Sequence, residues 1–159
     1  MSVLVKSTPA PAPRTDTAAK IAIVYAVILV GMAVAQLFTF EEFLPYIQSL
    51  HLPLSTGTIY ALGPLIVISE VFAVPFLLRM WLSPAFRFLS MFLGWLAAGL
   101  WLFMSVWTVT SSNSVDTIGF LGTVVKLVPG WWAIFISLAL GILAAWSSWG
   151  LWPGKRTSK

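Results

Sequence analysis

Four long apolar runs, separated by short polar stretches, dominate the chain. They cover about 21–40, 58–80, 86–110 and 130–152. A run of about 20 apolar residues crosses a hydrocarbon core of roughly 30 Å as a helix. Helix is the required conformation, because lipid offers the backbone no hydrogen-bond partners. The runs are apolar on every side, so their length rather than their periodicity identifies them. The pattern predicts an all-α fold, a four-transmembrane-helix bundle spanning 20–153. Residues 1–19, rich in Pro, Ala and Thr, read as a disordered tail, and 154–159 as a short basic tail. The first run lacks a small-residue cleavage site before Glu41 and Glu42, so it belongs to the mature structure.

Charge then orients the bundle. Lys6, Arg14, Lys20, Arg79, Arg87, Lys155, Arg156 and Lys159, eight of the nine basic residues, fall on one side of the four spans. The other side carries Lys126 with Glu41, Glu42 and Asp116. The excess of Lys and Arg predicts that both termini are cytoplasmic. Tryptophans agree: Trp107, Trp131 and Trp132 fall at the outer span ends, and Trp81, Trp149 and Trp152 at the inner ends. Trp95, Trp101 and Trp146 lie deeper, where packing or a ligand must account for them.

Composition narrows the function classes. Of 159 residues, 59% are hydrophobic and 9% charged, too few to cover a soluble core. The net charge of +4 resides at segment ends, not on a basic face interleaved with aromatics, so nucleic acid is not an expected partner. Cysteine is absent and His51 is the single histidine, which excludes thiol chemistry and a bis-histidine haem within one chain. No metal site, catalytic triad or nucleotide-binding glycine pattern is present in the sequence.

The outer loops are more than linkers. Phe40, Phe43, Leu44, Ile47 and Leu50 fall at helical spacing beside Glu41, Glu42 and Gln48, predicting a short interfacial helix limited by Pro45. The second loop turns from polar to apolar at 119–125 and is able to dip against the bundle. Phe43, Tyr46, His51, Phe120, Trp131 and Trp132 are the docking candidates of this side. For the bundle itself, close packing and polar contacts must hold the helices together. Small residues at intervals of four mark the expected contact faces: Gly31 and Ala35; Ser90, Gly94 and Ala98; Ala133, Ser137, Gly141 and Ala145. Those faces serve packing within the chain or an interface with another subunit. Gly63, Pro64 and Pro75 predict a broken second span.

Glu70 is the one acidic residue within a span. Nine residues before Arg79, it lies about 13 Å from the basic boundary, near mid-membrane. A charge there costs about 2.5–3.5 kcal/mol on insertion scales, so the side chain must face the bundle interior. Its candidate partners are Gln36, Ser69, Ser90 and Arg87, with Trp95 and Trp101 as possible walls of a ligand or proton site. A structural hydrogen bond between helices accounts for it equally well.

This layout resembles the DoxX-like and MauE-like families of small four-helix membrane proteins. The resemblance rests on the outer loop Phe40-Glu-Glu-Phe-Leu-Pro-Tyr-Ile-Gln-Ser-Leu-His-Leu-Pro53, the stretch Val67-Ile-Ser-Glu-Val-Phe-Ala-Val-Pro-Phe-Leu-Leu-Arg79, and the basic turn that follows. It implies a bacterial or archaeal inner-membrane protein beside a redox system. Where MauE-like members carry Cys-Gly-Cys-Phe-Gly, this chain reads Thr117-Ile-Gly-Phe-Leu-Gly122, which implies no thiol-disulfide activity. Three functions follow as expectations. The first is a non-catalytic subunit or accessory protein of a larger redox-linked complex, partnered by other membrane subunits or by copies of itself. The second is an oxidoreductase component with a quinone near Glu70, and the third a proton- or cation-linked transporter. No cofactor is expected in the chain itself.

Overall fold

The computed structural model describes residues 7–53, 55–111 and 117–152. Lys6, Asp116, Lys155, Arg156 and Lys159, which entered the charge pattern, lie outside the described residues, as does the basic tail. Five helices are present: α1 (Asp16–Phe38), α2 (Phe40–Ser49), α3 (Thr56–Leu77), α4 (Pro84–Thr110) and α5 (Trp131–Leu151). Four of them, all but α2, are long and apolar enough to cross a membrane, with mean hydropathy of 1.8 to 2.5. The protein is thus a multi-pass, all-helical membrane protein, and its outward-facing side chains are suited to lipid. Ile23, Val27, Val30, Val34 and Leu37 line the exposed face of α1.

Local chemistry sets the helix ends. Thr15 precedes α1 and its hydroxyl accepts from the Ala18 N–H at 3.1 Å, with Asp16 in the first turn. These features start α1 about five residues before the apolar run. Ser83 caps α4 in the same way, accepting from Phe86 N–H, and Pro84 occupies the first turn, where its missing N–H costs nothing. Arg79 ends α3 by adopting a left-handed backbone (φ 57°), and Met80 N–H closes the turn onto Pro75 O at 3.0 Å.

The long helices run alternately up and down, with extensive interfaces between α1 and α3, α3 and α4, α4 and α5, and α5 and α1. They close a ring, and α2 lies against α3 near Gly63. A side chain at Gly63 would meet Leu44 Cδ2 at 2.8 Å, so this glycine admits α2. The second span is not broken. α3 runs continuously through Pro64 and Pro75, and Ser90 of α4 bridges the turn around Pro75. The Ser90 hydroxyl accepts from Phe76 N–H at 3.1 Å and donates to Phe72 O at 2.5 Å. Pro75 has no N–H to give the Val71 carbonyl, and the Ser90 hydroxyl bridges the neighbouring pair of the ladder, Phe72 O and Phe76 N–H.

The expected small-residue stripes are corrected in part. Ser90, Gly94 and Ala98 are buried on the inner face of α4, as are Ala133 and Ser137 on α5. Gly31 and Ala145, however, face outward, Ala35 and Gly141 are only half-buried, and nothing lies within 4 Å of a side chain built at Gly31 or Gly141. A step of four residues turns a helix by about 40° beyond a full circle, so a stripe at intervals of four winds off the contact face. The observed inner face of α5 instead follows Ala133, Ser137, Leu140, Ala144, Ser147 and Leu151, alternating steps of four and three. This is the seam of left-handed helix packing.

The N-terminal segment also departs from expectation. From Thr8 to Arg14 it is bound to the bundle: Thr8 N–H donates to Leu82 O at 3.1 Å and Arg14 N–H to Gly150 O at 2.9 Å. Arg14 lies over the Trp149 ring, 5.2 Å from its centroid. The start of α1 and the end of α5 are therefore pressed together, and a side chain at Gly150 would collide with Ala18. Gly150→Ala is expected to lower unfolding stability in detergent by about 1–3 kcal/mol through overpacking. Gly141→Ala, with open space around it, is expected to be neutral or to gain up to about 1 kcal/mol of helix propensity.

Candidate functional site

The geometry of antiparallel helices gathers the polar core. Side chains tilt toward the N-terminus of their own helix. Glu70 on α3 therefore leans one way along the bundle, while Gln36 on α1 and Trp101 on α4, running oppositely, lean toward it. All three are fully buried. Trp101 Nε1 donates to Glu70 Oε1 at 2.7 Å, and Gln36 Nε2 donates to the same oxygen at 3.2 Å. One carboxylate oxygen thus ties three spans together.

A loop roofs the cluster. Gln36 Nε2 also donates to the Phe120 carbonyl at 3.3 Å, and the Phe120 ring packs on Trp101 with centroids 4.6 Å apart. Where the loop enters the bundle, several of its polar backbone groups are satisfied. Thr117 Oγ1 accepts from Gly119 N–H and Leu127 N–H, and Ile118 O accepts from the Tyr46 hydroxyl at 2.5 Å. Burial pushes the Tyr46 phenol above its ordinary range, which keeps it a donor. Thr123 N–H donates to Thr39 Oγ1 at 3.1 Å, and Thr123 Oγ1 donates to Glu42 Oε2. Gly119 and Gly122 both have positive φ, and side chains there would strike Tyr46 and Thr39 respectively.

Several expected site residues lie elsewhere. Arg87 does not reach Glu70; its Nη2 donates to Thr8 O, Thr8 Oγ1 and Pro9 O between 3.0 and 3.3 Å, holding the N-terminal segment. At the start of α4 its long side chain extends toward the helix end rather than the mid-membrane. Ser69 is buried but turns back to its own helix, donating to Ile66 O at 2.7 Å. Ser90 is committed to the α3 backbone. Trp95 faces outward, 44% exposed, and donates to Ser148 at 3.0 Å.

Of the docking candidates, Phe43, Tyr46 and Phe120 are buried packing residues, not free surface. Trp132 is half-buried and donates to Val128 O. Trp131 is 70% exposed, and His51 is exposed with its Nδ1 2.7 Å from Ser49 O. The Tyr25 hydroxyl, which donates to Gly94 O at 2.7 Å, was not anticipated from the sequence, nor was the Ser105–Ser137 hydroxyl pair at 2.9 Å. Both lie on the steps of three and four that define the inner face. Among the described residues, no three His, Asp or Glu gather as metal ligands.

No protein-family model matches this chain, and no curated protein or solved structure matches it either.

The hydrogen bonds to Glu70 give a direct stability prediction. Trp101→Phe keeps the ring against Phe120 but leaves the carboxyl with one donor. It is expected to cost about 1–2 kcal/mol in reversible detergent unfolding. Trp95→Phe, which loses an exposed bond, is expected to cost about 0.5 kcal/mol or less. Equal losses for the two would mean that the buried carboxyl gains nothing special from its indole.

Proposed function

We propose that this protein is a small subunit or accessory protein of a larger, redox-linked inner-membrane complex, of DoxX-like or MauE-like kind. The observation supporting this reading is the closure of the polar core. Glu70 is fully buried, its Oε1 is held by Trp101 and Gln36, and Phe120 roofs the cluster. A carboxyl engaged in this way joins helices and stands away from passing substrate. The interacting surface is then external: Trp131, His51 and Glu41 at the loop end, where other membrane subunits or copies of the chain would dock.

In this reading both termini are cytoplasmic and α2 lies at the outer interface with its buried Phe43 and Ile47 toward the bundle. The basic residues Arg14, Lys20, Arg79 and Arg87 on one side of the spans support that orientation.

Gentle purification from native membranes, followed by mass spectrometry of proteins and extracted small molecules, tests the subunit role. Larger subunits are expected at fixed stoichiometry; a lone chain under conditions that preserve other membrane complexes would refute it. Because the chain has no cysteine of its own, orientation is testable with single introduced thiols. Ser7→Cys is expected to react with impermeant reagents only after the membrane is opened, and His51→Cys in intact cells. The reverse pattern would invert the topology.

A further inference from the structure

The N-terminal segment is richer in acceptors than in donors. Pro9, Pro11 and Pro13 carry no N–H, so Thr8-Pro-Ala-Pro-Ala-Pro13 has a carbonyl at every residue and an N–H at every second one. Such a strip cannot pair fully with another backbone, but it suits a side chain that only donates. Two arginines, always charged and without an acceptor of their own, meet it. Arg87 Nη2 donates to Thr8 O at 3.0 Å, Thr8 Oγ1 at 3.2 Å and Pro9 O at 3.3 Å, and Arg79 Nη2 donates to Pro11 O at 3.3 Å. Both side chains border one narrow recess with Ala10, Pro11, Met80 and Leu82, so they converge on the same few residues of the segment.

The segment also bridges helices. At one end Thr8 N–H is fixed to Leu82 O in the turn between α3 and α4; at the other, Arg14 N–H is fixed to Gly150 O at the end of α5, and α1 begins two residues later. The catch between them is selective for charge. Every acceptor that Arg79 and Arg87 have among the described residues is uncharged, and a guanidinium bonds an anionic oxygen more strongly than a carbonyl. The turn itself indicates which anion competes. It joins the ends of two spans, and Leu78, Met80, Trp81 and Phe88 beside the arginines are exposed and apolar. Such a mixture of tryptophan, apolar side chains and arginine belongs where acyl chains meet headgroups, in the plane of the lipid phosphates.

We propose that residues 8–14 are a displaceable latch across the basic end of the bundle, with Arg79 and Arg87 as its catch, and that anionic phospholipid headgroups release it by taking the two arginines. With zwitterionic lipid the carbonyls of Thr8, Pro9 and Pro11 keep the guanidiniums, and the α3–α4 turn stays tied to α1 and α5. Where headgroups carry a net negative charge, their phosphates displace the carbonyls and the segment leaves the recess. This inference is independent of the subunit reading, since it concerns the opposite end of the bundle from the docking surface.

The absence of cysteine makes the latch measurable in the full chain. Ala10→Cys and Met80→Cys place one thiol on each side of the recess, and a short bifunctional thiol reagent joins them only while the segment is seated. The protein is compared in nanodiscs of phosphatidylcholine alone and with rising phosphatidylglycerol, with labelling of each single thiol correcting for access. Expected is a high cross-linking yield in phosphatidylcholine that falls several-fold as the anionic lipid increases. Inorganic phosphate added to phosphatidylcholine discs at matched ionic strength is expected to leave the yield unchanged. With Arg79→Gln and Arg87→Gln added, the yield is expected to be low in both lipids and to lose its response. The lipid comparison leaves both arginines in place, so it decides the proposal even where that variant fails to fold. A yield that is low in phosphatidylcholine, or equally high in every lipid, would overturn the latch. Release by inorganic phosphate alone would overturn the assignment to lipid, and an unaltered lipid response in the glutamine variant would overturn the role of the arginines.

Discussion

A carboxyl in the middle of a bilayer must be satisfied by its neighbours, and the arrangement of this protein follows from how Glu70 is satisfied. Its Oε1 draws an indole N–H from α4 and an amide N–H from α1, so three of four spans meet at one atom. Lipid provides no hydrophobic drive for helix association, since side chains are no better solvated by each other than by acyl tails. Polar contacts of this sort, with the close approaches at Gly94 and Gly150, provide specificity that apolar burial does not. Gln36 extends the network to the Phe120 carbonyl, and through it the loop becomes part of the membrane core.

Much of this was legible in the sequence, for reasons that differ by feature. Span number and length are set by bilayer thickness, which a run of apolar residues reports directly. The inward direction of Glu70 follows from its cost in lipid, and Gln36 was the natural partner because amides are rare in such segments. Ser90, Gly94 and Ala98 lie inward because, over only two steps of four, the stripe has not yet turned away from the seam. Over three steps on α5 it has, and Ala145 is carried to the outside.

What escaped the sequence depended on contacts between distant segments. Arg87 is near enough to Glu70 in sequence to invite a pairing, yet the carbonyls of Thr8 and Pro9 offer it nearer oxygens without the cost of reaching into the core. The docking role expected for Phe43, Tyr46 and Phe120 failed because α2 and the second loop pack on each other. The Tyr46 hydroxyl to Ile118 O and the Thr123 hydroxyl to Glu42 join them. The two glycines at 119 and 122 carried a signal of this fold-back, since a positive-φ pair is what a loop needs to turn inside a confined space.

The hydroxyl of Ser90 has a mechanical meaning. A proline within a membrane helix ordinarily provides a point about which the two halves can bend. Here the turn around Pro75 is spliced to α4, with Phe76 N–H and Phe72 O both attached to one serine oxygen. α3 and α4 are thereby locked into a single stiff hairpin. Any rearrangement of this bundle must leave that hairpin rigid and take place across its faces with α1 and α5.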